Sequence, residues 1–301
     1  MAKLEKNVLL LDGGMGTELR ARGVRVLDHI TSIWSAQALV DDPERVTEVH
    51  DAYIDAGADV ITVNNYAVTR PLLDREGMGD RFVSLTETAV ELAQKSRDKA
   101  SRPVLIAGSV PPLETSYRPG LVLDDATLLR DYREMVKELS RGVDVLLCET
   151  MSCAREARAA VEAACESDLP VWLSWTLQGD RPDKLPSGET IPEAFEAVAE
   201  FDLEAIMVNC CGANFVTRAV PILAGLNAKR IGGYANAAEV IEAADEAPVP
   251  EPEEVAKRQL DVDEYLGEVT QWLDAGATIV GGCCSTRPAH IEALRAHLDG
   301  R

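Results

Sequence analysis

Eight short apolar runs separated by longer amphipathic stretches, a recurring helix–glycine–strand junction, and the absence of a Gly-x-Gly-x-x-Gly signature after the first run predict a single-domain (β/α)8 barrel over residues 1–301. The runs are Val8–Leu11, Val60–Val63, Val104–Ala107, Val143–Leu147, Val171–Trp175, Ala205–Val208, Arg230–Tyr234 and Thr278–Gly281. Near-continuous apolar strands of this kind belong to a parallel sheet that helices cover on the outside.

The junctions support the alternation. Ala56-Gly57-Ala58-Asp59 leads into the second run, Arg141-Gly142-Val143-Asp144 overlaps the fourth, and Ala275-Gly276-Ala277-Thr278 introduces the eighth. In each a helix ends at a glycine suited to the left-handed position after the last turn, and a strand begins at once. The helix Pro43 to Ala56 illustrates the pattern, with Val46, Val49, Tyr53 and Ile54 near helical spacing and Pro43 in the first turn. The one irregular stretch, about residues 237–261, carries many acids and the run Pro248-Val249-Pro250-Glu251-Pro252. It reads as an extended acidic insertion after the seventh strand, either a solvated loop or a lid over the barrel mouth.

Bulk composition narrows the function classes. A formal net charge of −21 opposes binding to nucleic acid or an anionic membrane. No run approaches the ~20 apolar residues of a membrane span. The charged start Met1–Asn7 has no apolar signal-peptide core, so a cytoplasmic location is expected, with seven cysteines reduced or bound to metal.

In a barrel, chemistry collects where strands end and loops to the helices begin. Asp12, Gly13 and Gly14 follow the first run, Asn64 and Asn65 the second, and Glu149 and Thr150 the fourth. Cys210 follows the sixth run, Asn236 lies just past the seventh, and Cys283 and Cys284 follow the eighth. A carboxylate at the end of a buried strand, such as Glu149, needs a partner, which favours a site role. Asn65 and Asn236 suit turn chemistry and ligand contact equally.

Adjacent Cys283 and Cys284 converge on one soft ion if the chain turns sharply, and Gly281-Gly282 permits the turn. With Cys210 they make a three-thiolate zinc site with one open vertex. Cys211, one residue on, points away by alternation and reads as structural. Of the four histidines, His50 and His290 fall in predicted helices and His297 near the C-terminus, so a histidine-rich metal site is not expected. The open vertex accepts either water, as in a hydrolase, or a substrate thiol. Three thiolates make the metal a poor Lewis acid for water but keep a fourth thiolate nucleophilic, which fits thiol alkylation.

The stretch Leu11-Asp12-Gly13-Gly14-Met15-Gly16-Thr17-Glu18-Leu19 resembles the opening signature of the homocysteine S-methyltransferases. Asn209-Cys210 and Gly281-Gly282-Cys283-Cys284 are similar to that family's paired zinc motifs, and Glu149-Thr150 and Tyr234-Ala235-Asn236 also match. The resemblance spans essentially the whole chain. It implies that Cys210, Cys283 and Cys284 bind zinc and that the sulfur of homocysteine completes the tetrahedron. It further implies that Asp12 and Glu149 hold the substrate amino group and that Gly13-Gly14 faces its carboxylate. The expected donor is a free onium compound, S-methylmethionine first, with betaine or dimethylsulfoniopropionate as alternatives. Further alternatives are a homocysteine-activating subunit served by a separate corrinoid methyl carrier, and a zinc hydrolase. The loop Pro111-Pro112-Leu113-Glu114-Thr115-Ser116-Tyr117 departs from the glycine-rich version of that family's S-methylmethionine enzymes.

Overall fold

All eight apolar runs become parallel strands in the computed structural model, which describes residues 6–27, 32–177, 181, 183–241 and 257–301. The barrel strands are Leu9–Leu10, Val60–Thr62, Leu105–Val110, Val145–Met151, Val171–Trp175, Ala205–Gly212, Ile231–Asn236 and Ile279–Gly282. The second to the eighth each pair with their neighbours in sequence within that run, and the first pairs with the eighth. A parallel bridge between Leu11 and Val60 closes the ring between the first and second strands. Expected and observed strands differ mainly at their C-terminal ends, where the third, fourth, sixth and seventh run further than their apolar stretches.

Alternation along each strand separates two cores. Leu9, Leu11, Val60, Leu105, Val145, Trp172, Met207 and Ile279 fill the barrel interior, joined by Tyr234. Leu10, Ile61, Ile106, Leu146, Leu173, Ile206 and Val280 face outward into the layer under the helices. The helix Pro43–Asp55 forms as expected; Asp42 caps it by accepting from the Arg45 N–H at 3.2 Å, and Val46, Val49, Tyr53 and Ile54 are buried.

Two expectations need correction. Gly57 and Gly276 have φ of +103° and +100°, as left-handed helix terminators should, but Gly142 is not in that region. A Cβ on Gly142 would lie 2.4 Å from Val90 Cγ1, so close helix packing, not backbone handedness, requires glycine there. The acidic insertion is also not wholly a loop. Ala238–Val240 pairs antiparallel with Lys257–Gln259, and Asp261 caps the helix Val262–Asp274 in a capping box with Glu264. Residues 242–256, which include the proline run, lie outside the described residues, as does His29. Among the described residues no helix is long and apolar enough to cross a membrane.

Candidate metal centre

Two bulges aim the site. Pairing slips between Cys148 and Met151 on the fourth strand, and between Asn209 and Gly212 on the sixth. At each slip a residue with a side chain adopts left-handed backbone, Thr150 at φ +60° and Cys210 at φ +55°. Such conformations cost on the order of 1–3 kcal/mol and persist only where surroundings impose them. Here the fully buried Asn209 does so. Its Oδ1 accepts from the Thr150 N–H at 2.9 Å and from Ser174 Oγ at 2.7 Å, while its Nδ2 donates to Thr150 Oγ1 at 2.8 Å.

The loop after the eighth strand is fastened on every side. The Cys283 N–H donates to Ala235 O at 2.8 Å, the Cys284 N–H to Asn236 Oδ1 at 3.1 Å, and the Ser285 N–H to Thr17 Oγ1 at 2.9 Å. A Cβ on Gly14 would lie 2.6 Å from Cys283 O, so the glycine pair after the first strand lets this loop approach. The Gly14 N–H donates to Thr286, at 3.2 Å to Oγ1.

As a result the sulfurs of Cys210, Cys283 and Cys284 all lie within 4.8 Å of one another, with Cys210 and Cys284 at 3.9 Å, and no disulfide joins them. A tetrahedral zinc with Zn–S near 2.3 Å places its sulfurs ~3.8 Å apart, so this donor set fits that ion. The chemistry agrees. The neighbouring sulfurs of Cys210 and Cys284, together with burial, hold the Cys283 thiol well above its ordinary range. Three thiolates this close repel unless a cation sits among them. Cys211 stays outside the trio in the outer core, where burial pushes its thiol up to about 12.

Two carboxyls share the rim. Asp12 accepts from the Thr62 N–H at 2.7 Å and from Thr62 Oγ1 at 3.1 Å. Glu149 accepts from Ser109 Oγ at 2.6 Å and Tyr234 Oη at 3.1 Å. Burial pushes each up to about 7 against those hydrogen bonds, with the charge of Glu149 adding at Asp12 and that of Cys284 at Glu149. Of the other buried acids, Glu156 is likewise held by neutral donors alone, the Leu113 N–H and Tyr132 Oη, whereas Asp59 and Glu18 meet cations. Asp59, at the opposite end of the barrel, is met by Lys6, Arg102 and Arg295, and Glu18 by Arg22 and Arg287. Among the described residues no basic side chain pairs with Asp12 or Glu149.

The asparagines have internal partners. Asn65 donates to Ser109 O at 2.7 Å and accepts from its N–H at 3.2 Å, which ties the second and third strand ends together. Asn236, the last residue of its strand and not just past it, positions Cys284. Sequence reasoning passed over Thr62, Ser109 and Asn209 as polar partners, and Tyr117, whose hydroxyl lies 2.9 Å from both Cys210 Sγ and Cys210 O. The only sequence signal for Tyr117 was that its loop breaks the family pattern. Trp175 packs in the outer core, while Tyr66 stands edge-on to Trp34 with ring centroids 6.0 Å apart.

A sequence profile described as Homocysteine S-methyltransferase matches residues 9–298. The chain is 32% identical to the Homocysteine S-methyltransferase of Escherichia coli (strain K12), covering 97% of this chain and 96% of that one. It is 30% identical to Homocysteine S-methyltransferase 1 of Arabidopsis thaliana, covering 97% and 94%, and 30% identical to a Selenocysteine Se-methyltransferase of Brassica oleracea var. italica, covering 97% and 89%. The metallated crystal structure of the homocysteine methyltransferase MmuM from Escherichia coli superposes with a TM-score of 0.79 at 28% identity, over 97% of each chain. The oxidised form gives 0.81 at 29%, also over 97% of each. This chain, a (β/α)8 barrel with three clustered cysteines at its rim, belongs to the homocysteine S-methyltransferase family.

Proposed function

We propose that the chain transfers a methyl group from a small onium donor to the sulfur of homocysteine, yielding methionine, with zinc held by Cys210, Cys283 and Cys284. The observation that carries this reading is the cluster of three sulfurs on the barrel rim that also holds two buried carboxyls, Asp12 and Glu149, which meet no basic side chain among the described residues. When bound, zinc supplies the positive charge that keeps a substrate sulfur ionised near neutral pH.

The chain's own residues do the rest. Asp12 and Glu149 receive the substrate ammonium, which gives each carboxylate the counter-charge it lacks. Ser109 and Tyr234 fix the Glu149 carboxyl, Thr62 fixes Asp12, and Asn236 fixes the Cys284 backbone. The new S–CH3 bond forms as the donor's methyl–onium bond breaks, and that bond's electron pair leaves with the now neutral donor. No general base is needed once the thiol is ionised; alignment supplies the acceleration. S-methylmethionine is the favoured donor, since its added ammonium makes it a net cation, which suits a chain of net charge −21 better than the zwitterions betaine and dimethylsulfoniopropionate.

The test is direct. Purified protein is incubated with homocysteine and each of S-methylmethionine, betaine and dimethylsulfoniopropionate, and methionine is quantified. Selenocysteine belongs in the acceptor panel because a 30% identical relative carries that substrate in its name. Methionine from a free onium donor supports the proposal. Production only with an added corrinoid methyl carrier would instead make the chain a homocysteine-activating subunit, and donor consumption without acceptor would make it a hydrolase.

A further inference from the structure

Tyr117 holds its backbone at φ +66°, a conformation a bulky aromatic residue rarely adopts. Its N–H is pinned by Ser152 Oγ at 3.0 Å, and its hydroxyl lands on Cys210, 2.9 Å from the carbonyl oxygen and 2.9 Å from Sγ. Cys210 is itself left-handed, so two strained residues meet through this contact. Strain of this kind is kept where the surroundings over-determine it, and it often marks a working position. The carbonyl oxygen can only accept, as can a metal-held thiolate sulfur, so the phenol's one proton is shared between the two in a bifurcated hydrogen bond.

The need for such a donor follows from crowding. A methyl electrophile delivered to a substrate sulfur beside this trio is also within reach of the cysteine sulfurs, which sit within 4.8 Å of one another. Building on the metal-thiolate reading above, we propose that Tyr117 is a positioning residue that protects Cys210. Its O–H withdraws charge from the Cys210 thiolate, so the methyl goes to the substrate and not to the protein. A hydrogen bond to a charged acceptor is strong enough to shift an alkylation rate by roughly tenfold.

The experiment compares zinc-loaded wild type, Tyr117→Phe and Ser152→Ala exposed to methyl iodide without homocysteine. In the reaction followed, a Cys210 S–CH3 bond forms, the C–I bond breaks, and iodide leaves with the electron pair. Peptide mass mapping over time should show Cys210 methylated roughly tenfold faster in Tyr117→Phe, with Cys165, remote from the trio, unchanged as an internal control. Ser152→Ala, which keeps the phenol but frees its backbone, should fall between, and it decides the matter if Tyr117→Phe does not fold. Cobalt(II)-substituted Tyr117→Phe should also show its thiolate-to-metal absorption shifted to longer wavelength. Equal Cys210 methylation in all three proteins overturns the proposal. Metal analysis of the wild type reports separately on the metal reading: absence of stoichiometric zinc there would remove that foundation without reference to Tyr117.

Discussion

Asn209 and Thr150 grip each other in both directions across the fourth and sixth strands, through an N–H···Oδ1 bond at 2.9 Å and an Nδ2–H···Oγ1 bond at 2.8 Å. This pair holds both bulges, and with them the aim of Glu149 and Cys210. Asn209→Ala removes an acceptor shared by Thr150 and Ser174 and leaves their donors buried without partners. A loss of about 2–4 kcal/mol in urea unfolding is expected, with weaker metal binding in the fraction that stays folded. A variant of wild-type stability would show that the left-handed residues need no such brace.

Removing one thiolate should undo the metal site while sparing the barrel, because all three sulfurs lie at loop or bulge positions above the apolar core. Cys283→Ala is expected to lose stoichiometric zinc by elemental analysis and at least ~10³-fold in methionine formation, with far-ultraviolet circular dichroism unchanged. Chelation of the wild type should have the same effect, and added zinc should reverse it. Stoichiometric zinc and surviving activity in the variant would refute the three-cysteine assignment.

The distance between reading the chain and seeing it folded is instructive at this site. Cys210, Cys283 and Cys284 could be placed together because parallel strands of a closed barrel all end on one rim, so strand ends far apart in sequence become neighbours. The bulges could not be read. Threonine and cysteine have no intrinsic reason to take positive φ, and the force that imposes it is the side chain of Asn209, which reaches Thr150 across a separation of 59 residues. Tyr117 was hidden for the same reason, since its contact with Cys210 spans 93 residues. Gly142 shows the converse error: a glycine after a helix suggested backbone handedness, when the tight approach of Val90 is what excludes a side chain. The ribbon flanking residues 242–256 escaped notice because three-residue strands leave almost no periodicity to detect.

Asn236 offers a subtler perturbation than loss of a ligand. Its Oδ1 is the acceptor for the Cys284 N–H at 3.1 Å, and the Cys284 carbonyl accepts from the Ala237 N–H at 3.0 Å, so the chain brackets this cysteine from both sides. Asn236→Ala should weaken zinc affinity about 10–100-fold in competition with a chromophoric chelator, as loss of an outer hydrogen bond typically does. Thermal unfolding of the metal-free protein should change little. Unaltered affinity would mean that the Ala237 bond alone suffices to place Cys284.

The unpaired carboxyls make a prediction in which stability and binding move oppositely with pH. Burial raises Asp12 and Glu149 from ordinary values of 3.8 and 4.5 to about 7. A group whose folded pKa is raised leaves stability intact below its unfolded pKa and takes it away as pH rises through the folded one. The window here is therefore about pH 4 to 7. Glu149→Gln cannot ionise, so ligand-free variant should gain on wild type by about 2 kcal/mol between pH 5 and pH 8, measured by denaturant unfolding. Binding should run the other way. Methionine carries the same ammonium as homocysteine but no ionisable sulfur, and it leaves carboxylates charged. Its affinity for zinc-free wild type should therefore rise through pH 7, while Glu149→Gln should bind more weakly and with a flatter profile. If wild type and variant kept a constant stability difference from pH 5 to 8, Glu149 would already be ionised in the empty site, and its proposed hold on the substrate ammonium would lose its physical basis.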